Sequence, residues 1–195
     1  MKKLEKYLLK NGSITNKEAQ LLGIGRHTLA RLARVGELER VKNGVYKKTG
    51  EVSDDFMRIS ANNDRVVFSH QSALYLHDLS DRTPNIFHIS VPQGYNATHL
   101  KKKYENIKIH YVKKEYFEVG LSEVITPMGN PVKVYDRERC ICDIVLAREK
   151  MDKQIFIDAM NRYFKQKDRD LRHLIKYSRI FGIESEIRKY LEVLS

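Results

Sequence analysis

Residues 15–48 read TNKEAQLLGIGRHTLARLARVGELERVKNGVYKK, and this stretch decides the fold of the N-terminal quarter. Thr15-Asn16-Lys17-Glu18 is a capping box, in which hydroxyl and carboxylate each take up the other residue's free backbone amide and so open a helix. That helix is short and carries Ala19, Leu21 and Leu22 as its apolar residues. Gly23-Ile24-Gly25 supplies a tight turn with one aliphatic side chain, and a further helix runs from Arg26 to about Val35 before Gly36 stops it. Leu38–Val41 and Val45–Lys48 are β-prone runs separated by Lys42-Asn43-Gly44, a strong hairpin signal. Upstream, Leu4, Leu8 and Leu9 form a stripe at helical spacing that Asn11-Gly12 terminates. Helix, helix, helix, hairpin is the order of a winged helix-turn-helix, whose third helix enters the DNA major groove.

The faces of that third helix follow from about 100° of rotation per residue. Leu29, Leu32 and Ala33 fall within an arc about 100° wide, and His27, Arg31 and Arg34 within one about 60° wide, centred on the other side of the helix. An apolar arc thus opposes a basic one. Arg31 and Arg34 suit either bidentate pairing with guanine edges or the holding of phosphates. Thr28 lies between the arcs, within reach of a base methyl or a phosphate. Arg26, His27, Thr28, Arg31 and Arg34 are therefore the candidate groove residues. Lys17 belongs to the helix that crosses the DNA backbone, and Arg40, Lys42, Asn43, Lys47 and Lys48 to the wing beside it. Tyr46 reads as the residue that anchors the wing in the core.

Charge is distributed in the same sense. The 195 residues hold 36 Lys+Arg against 25 Asp+Glu, a net of +11, and the pI near 9.6 favours a polyanionic partner. Residues 1–50 hold eight Lys and four Arg against four Glu, a net of +8; residues 51–195 hold 24 basic and 21 acidic side chains, a net of +3. With 42% apolar residues the chain can build a packed core. It contains no run approaching the roughly 20 apolar residues of a membrane span. The start, Met1-Lys2-Lys3-Leu4-Glu5, leads into no apolar export segment, and two cysteines make no disulfide framework. A reducing, cytoplasmic setting is expected.

The polar stretch Thr49–Asp55 places a boundary, giving a winged helix-turn-helix over 1–50 and a second domain over 51–195. The second domain reads as mixed. Val66–Phe68 is a buried strand, and about Gln71 to His77 a helix. Ile86–Pro92 alternates, with Phe87, Ile89 and Val91 facing one way and His88 and Ser90 the other; Ile107–Val112 alternates likewise. A hairpin turns at Pro127–Pro131, and from Asp136 onward the pattern is that of four helices. The whole is α+β: a winged helix, then a small β-sheet with a C-terminal helical bundle.

Clusters of reactive side chains point to no catalytic, metal or cofactor site. His70 and His77 are two helical turns apart and could project from one helix face, with Asp78 and Asp81 near, but no metal-ligand motif surrounds them, and structural hydrogen bonding or capping is the expected role. Cys140 and Cys142 project about 200° apart on a helix and cannot chelate one ion. Asp136, Glu138 and Asp143 are acid-rich enough to suggest a magnesium-dependent nuclease tethered to DNA; yet Asp136 at a helix start is also an ordinary N-cap, with Arg139 at hand to pair locally. Lys101, Lys102 and Lys103, with Lys113 and Lys114, form a second basic cluster suited to extra DNA-backbone contact or to cooperation between protomers.

The N-terminal string Ile14-Thr15, Gly23-Ile24-Gly25-Arg26, Leu29, Arg31-Leu32, Gly36-Glu37-Leu38, Arg40-Val41 and Gly44-Val45-Tyr46 resembles the first domain of AbiEi-type antitoxins of bacterial type IV toxin–antitoxin systems. The likeness extends through Ser69–Leu74, Leu76–Asp81, His88–Pro92, Tyr135–Arg139 and Cys142-Asp143, and so covers most of the chain. It implies a winged-helix repressor that binds inverted repeats in its own operator, cooperatively with further copies of itself. It also implies a C-terminal domain that antagonises a nucleotidyltransferase-like toxin without a stable complex, as part of abortive infection against phage.

Overall fold

The computed structural model describes residues 2–50, 54–61 and 63–194, the side chains of Lys10 and Lys42 excepted. It divides into two units, Met1–Asn62 and Asn63–Ser195.

The first unit comprises α1 (Lys2–Asn11), β1 (Ile14–Thr15), α2 (Asn16–Leu21), α3 (Arg26–Arg34), β2 (Leu38–Lys42), β3 (Val45–Lys48) and α4 (Asp55–Ser60). The capping box forms in full: the Glu18 amide donates to Thr15 Oγ1 at 3.1 Å, and the Thr15 amide to Glu18 Oε2 at 2.8 Å. Thr15 has a second role beside capping. Ile14 and Thr15 pair antiparallel with Tyr46 and Val45, adding a third strand to the hairpin in the order β1-β3-β2.

Leu4, Leu8, Ile14, Ala19, Leu29, Leu32, Leu38 and Tyr46 make one core. Full burial of a leucine stabilises by about 1.5–3 kcal/mol, more than any solvated arginine gains from a particular placement, so Leu29 and Leu32 set the rotation of α3. Two residues assigned to apolar faces are instead outside: Leu9 is 60% and Leu21 82% exposed. Each lies one residue, about 100°, from its buried or half-buried neighbour Leu8 or Leu22, which takes the place in or against the core. The unit also runs past Gly50. Phe56 and Ile59 of α4 are buried, and Arg58 Nε donates to the Asn11 carbonyl at the end of α1, 3.1 Å away.

The second unit comprises β4 (Val67–Phe68), α5 (His70–Leu76), β5 (Phe87–Pro92), α6 (Thr98–Lys103), β6 (Ile107–Val112), α7 (Lys114–Phe117), β7 (Leu121–Ile125), β8 (Pro131–Tyr135), α8 (Arg137–Leu146), α9 (Lys153–Lys165), α10 (Leu171–Ile180) and α11 (Glu184–Leu194). Its sheet is mixed, in the order β6-β5-β4-β8-β7. β5 and β6 run parallel, joined by the α6 crossover, whereas β4 is antiparallel to β5 and parallel to β8. β7 and β8 form the expected hairpin, with Ile125 opposite Pro131.

The alternation read in β5 does not become an inside and an outside. Phe87 to Val91 are all buried, Ser90 completely and His88 to 7% exposure, whereas Ile86 just before the strand is 51% exposed. β5 lies between β6 and β4, and α5 packs on it. Its polar positions are satisfied within the protein: the His88 amide donates to Ser72 Oγ at 2.7 Å, and Ser90 Oγ donates to Ser69 Oγ at 2.9 Å. α8 is buried along most of its length against α5, α9, α10 and α11. Among the described residues no helix is long and apolar enough to cross a membrane.

Candidate functional site

α3 starts on Gly25, whose extended backbone lets its carbonyl accept from the Thr28 amide at 2.9 Å. Leu29 and Leu32 are 0% and 1% exposed, Thr28 is half-buried, and Arg26, His27, Arg31 and Arg34 stand in solvent. The two arcs of the helix are thus physically separate. Arg31 and Arg34 fall in the last turn, where a cation is favoured by the helix dipole. Among the described residues no carboxylate or carbonyl engages the side chain of Arg26, Arg31 or Arg34. Their donors are left for a partner from outside.

The wing is shaped by a bulge and a glycine. Pairing slips between Arg40 and Lys42, leaving Val41 55% exposed, and Gly44 turns the chain at φ +73°. The turn is tied to the start of α2 by the Asn16 amide, which donates to the Gly44 carbonyl at 2.9 Å. A β-carbon at residue 44 would stand 3.0 Å from Asn16 Nδ2. Two wing candidates have partners in the chain: the Arg40 guanidinium donates to Asn43 Oδ1, and Lys47 Nζ lies 3.1 Å from Glu39 Oε2. Lys17 and Lys48 are exposed, and the side chain of Lys42 lies outside the described residues.

The reactive clusters of the second unit take structural places. Asp136 caps α8, accepting from the Arg139 amide at 2.8 Å and from the Tyr177 hydroxyl at 3.0 Å. Glu138 accepts from the Tyr163 hydroxyl and the Asp170 amide, both at 3.0 Å. Asp143 pairs with Arg139 at 2.8 Å in the interior, and burial raises the Asp143 carboxyl above its ordinary pKa. Each of the three carboxylates is engaged separately, and among the described residues they form no group able to hold a metal together. Cys140 and Cys142 are buried free thiols on α8.

Lys101, Lys102 and Lys103 occupy the last turn of α6, which leads into β6, and Lys113 and Lys114 follow its far end. All five are exposed, Lys113 with Glu115 3.9 Å away. They are two patches at opposite ends of a strand roughly 17 Å long.

Residues 3–46 match the family model described as "Transcriptional regulator, AbiEi antitoxin". Over this stretch the chain is similar to the AbiEi antitoxin regulators. The match spans α1 to the middle of β3, and so takes in α3 and the turn of the wing. The crystal structure of the RV2827C protein from Mycobacterium tuberculosis is similar to 89% of this chain and 69% of its own, with a TM-score of 0.56 and 14% identity. At that identity the likeness is one of fold. No curated protein matches the chain.

One further cluster, of histidines, is not apparent from the local sequence. His70 and His77 do not share a face. His77 ends α5, with Nε2 2.7 Å from the Tyr135 carbonyl, and burial holds it below the ordinary histidine pKa. His70 opens α5 in a left-handed backbone conformation, φ 49°, and stacks on His110 of β6 with ring centroids 3.8 Å apart. His88 of β5 completes the group, its Nδ1 3.1 Å from His110 Nε2. Parallel pairing sets Ser90, not His88, opposite His110, so the two rings meet diagonally on one face of the sheet. The polar positions of the two alternating strands were the signal; their register was not in the local sequence.

Proposed function

We propose that the chain is a transcriptional repressor and antitoxin of a bacterial type IV toxin–antitoxin operon, active in abortive infection against phage. Its first unit binds inverted repeats in the operator DNA, and its copies cooperate there. α3 enters the major groove with Arg26, His27, Thr28, Arg31 and Arg34. Lys17, Arg40, Lys42, Asn43, Lys47 and Lys48 hold the flanking phosphates, with Lys101–Lys103 and Lys113–Lys114 as a supplementary backbone or cooperativity surface. The second unit antagonises a nucleotidyltransferase-like toxin without a stable complex. The observation that carries the reading is the division of α3: two leucines seal it to the core while three exposed arginines have no partner among the described residues. The family match over residues 3–46 supports the regulatory role.

The test is a gel shift at fixed salt on the DNA upstream of the protein's own gene, comparing the natural chain with Arg31→Ala/Arg34→Ala. A bidentate base contact is worth about 1–3 kcal/mol, so the pair of substitutions lowers operator affinity at least about 30-fold, with an unchanged thermal melt. Undiminished affinity in the folded double variant overturns the reading. For the second unit, growth rescue of toxin-expressing cells without calorimetric binding of toxin is the expected pattern.

A further inference from the structure

We propose that His70, His88 and His110 form a binding site for one first-row divalent transition metal of the zinc class. One nitrogen from each imidazole lies within 4.8 Å of the other two, the only such group among the described residues. A zinc ion with bonds of about 2.0–2.1 Å to tetrahedrally placed ligands sets neighbouring ligand nitrogens about 3.3 Å apart. The 3.1 Å between His88 Nδ1 and His110 Nε2 is already close to that spacing. Ser69 Oγ lies 3.1 Å from His70 Nδ1 and itself receives the Ser90 hydroxyl, so Nε2 is the atom His70 has left to offer. A hydroxyl on the far nitrogen orients a ligating ring as outer partners of metal-bound histidines do.

The setting suits a cation held by neutral donors. Burial, the largest cause, holds all three below the ordinary histidine pKa, and a neutral imidazole has one lone pair to give a metal. Three imidazoles with no thiolate among them select zinc, cobalt, nickel or copper over magnesium or calcium. The rings line a cavity of about 400 Å³ whose wall includes Asp143, with Lys108 and Lys150 exposed at its rim. Asp143 Oδ2 is buried without a hydrogen-bond partner, although the other oxygen is paired with Arg139. Asp143 thus keeps one acceptor atom unspent beside the cavity. The left-handed backbone at His70, φ 49°, sets its ring against those of His88 and His110 on the two strands.

Metal entry changes the cluster in a defined way. The proton now shared between His88 and His110 moves to the outward nitrogen of its own ring, so both coordinate as neutral imidazoles with no net release. The stacked His70 and His110 rings splay, because rings only 12° from parallel cannot both point at one ion.

The experiment uses the full chain, freed of any polyhistidine tag and stripped with chelator, titrated calorimetrically with Zn²⁺ and spectroscopically with Co²⁺. The proposal expects one ion per chain, visible cobalt absorption of the tetrahedral type, and a thermal melt that rises with zinc. His110→Gln, on the edge strand β6, and His88→Gln each weaken binding by more than the 10–100-fold that loss of an outer partner costs. Should His88→Gln fail to fold, His110→Gln and the zinc-dependent melt of the natural chain decide. Absence of binding, or binding unchanged in His110→Gln because the exposed His27, His99 or His173 hold the ion, overturns the site.

Discussion

Glu39 and Lys47 face one another across the β2–β3 hairpin, carboxylate to ammonium at 3.1 Å, on the strand pair proposed to lie along the DNA backbone. Both are substantially exposed, and such pairs contribute only about 0–1 kcal/mol, so the lysine exchanges partners at little cost. The acid also places a negative charge close to the phosphates. Glu39→Gln removes both brakes. Operator affinity is expected to rise several-fold, and the slope of log K against log salt to steepen by about 0.9, the share of one added phosphate contact. Filter binding over a salt series checks this; an unchanged slope removes Lys47 from the interface.

Gly120 stands where no side chain fits. Its φ is +74°, and a β-carbon there would come within 2.6 Å of Arg139 Cβ and 3.1 Å of Asp136 Oδ1. Left-handed strain of about 1–2 kcal/mol adds to overpacking of about 1–3 kcal/mol. Gly120→Ala should therefore lower the stability of the second unit by about 2–5 kcal/mol. Urea unfolding is the measurement. Gly94→Ala is the control: φ is +88°, yet nothing lies within 4 Å of the added carbon, so only the backbone term remains.

His77 gives the second unit a dependence on acidity. Its Nε2 faces a carbonyl, which only accepts, so the neutral ring carries its proton there. Burial, the largest cause, holds its pKa below the ordinary value, with the carbonyl opposing in part. The unfolded chain thus binds the proton more readily than the folded one. The stabilisation is fully present above the unfolded value of about 6.5 and is lost as pH falls from there toward the folded value. His77→Gln keeps a donor for the carbonyl and loses the titration. Its urea midpoint should fall less steeply than that of the natural chain between about pH 7 and 5; parallel curves would count against the assignment.

The parts of the molecule legible in the sequence are those decided by neighbours a few residues away. Thr15 and Glu18 build their capping box, Asp136 caps its helix, and the angular positions of Leu29, Leu32, Arg31 and Arg34 match their burial and exposure. Legibility failed where a partner comes from afar or is absent. Leu9 and Leu21 look like core residues until one sees how open they stand to solvent. β5 alternates in sequence yet is buried on both faces, because coverage belongs to the topology. The histidine trio depended on the parallel register of β5 and β6 and on an unusual backbone angle at His70. Spacing along the chain carries neither. The pairing of Lys47 with Glu39 was nearer to hand, since the position of the turn nearly sets it.

Arg139 spans three segments at once. Its guanidinium donates to the Tyr116 and Val119 carbonyls at 2.8 and 2.9 Å, pairs with Asp143, and lies over the rings of Tyr135 and Phe181 at 4.3 and 4.2 Å. Peeling the 116–120 stretch away by itself would strip two carbonyl acceptors from the Arg139 guanidinium and leave Asp143 as its anionic partner, a cost of about 1.5–3 kcal/mol for each charged hydrogen bond lost. That stretch consequently has no cheap fraying mode. The Asp136 amide donates to the Gly120 carbonyl at 2.7 Å, so its hydrogen is expected to exchange with solvent on the slow timescale of the interior rather than that of a surface turn.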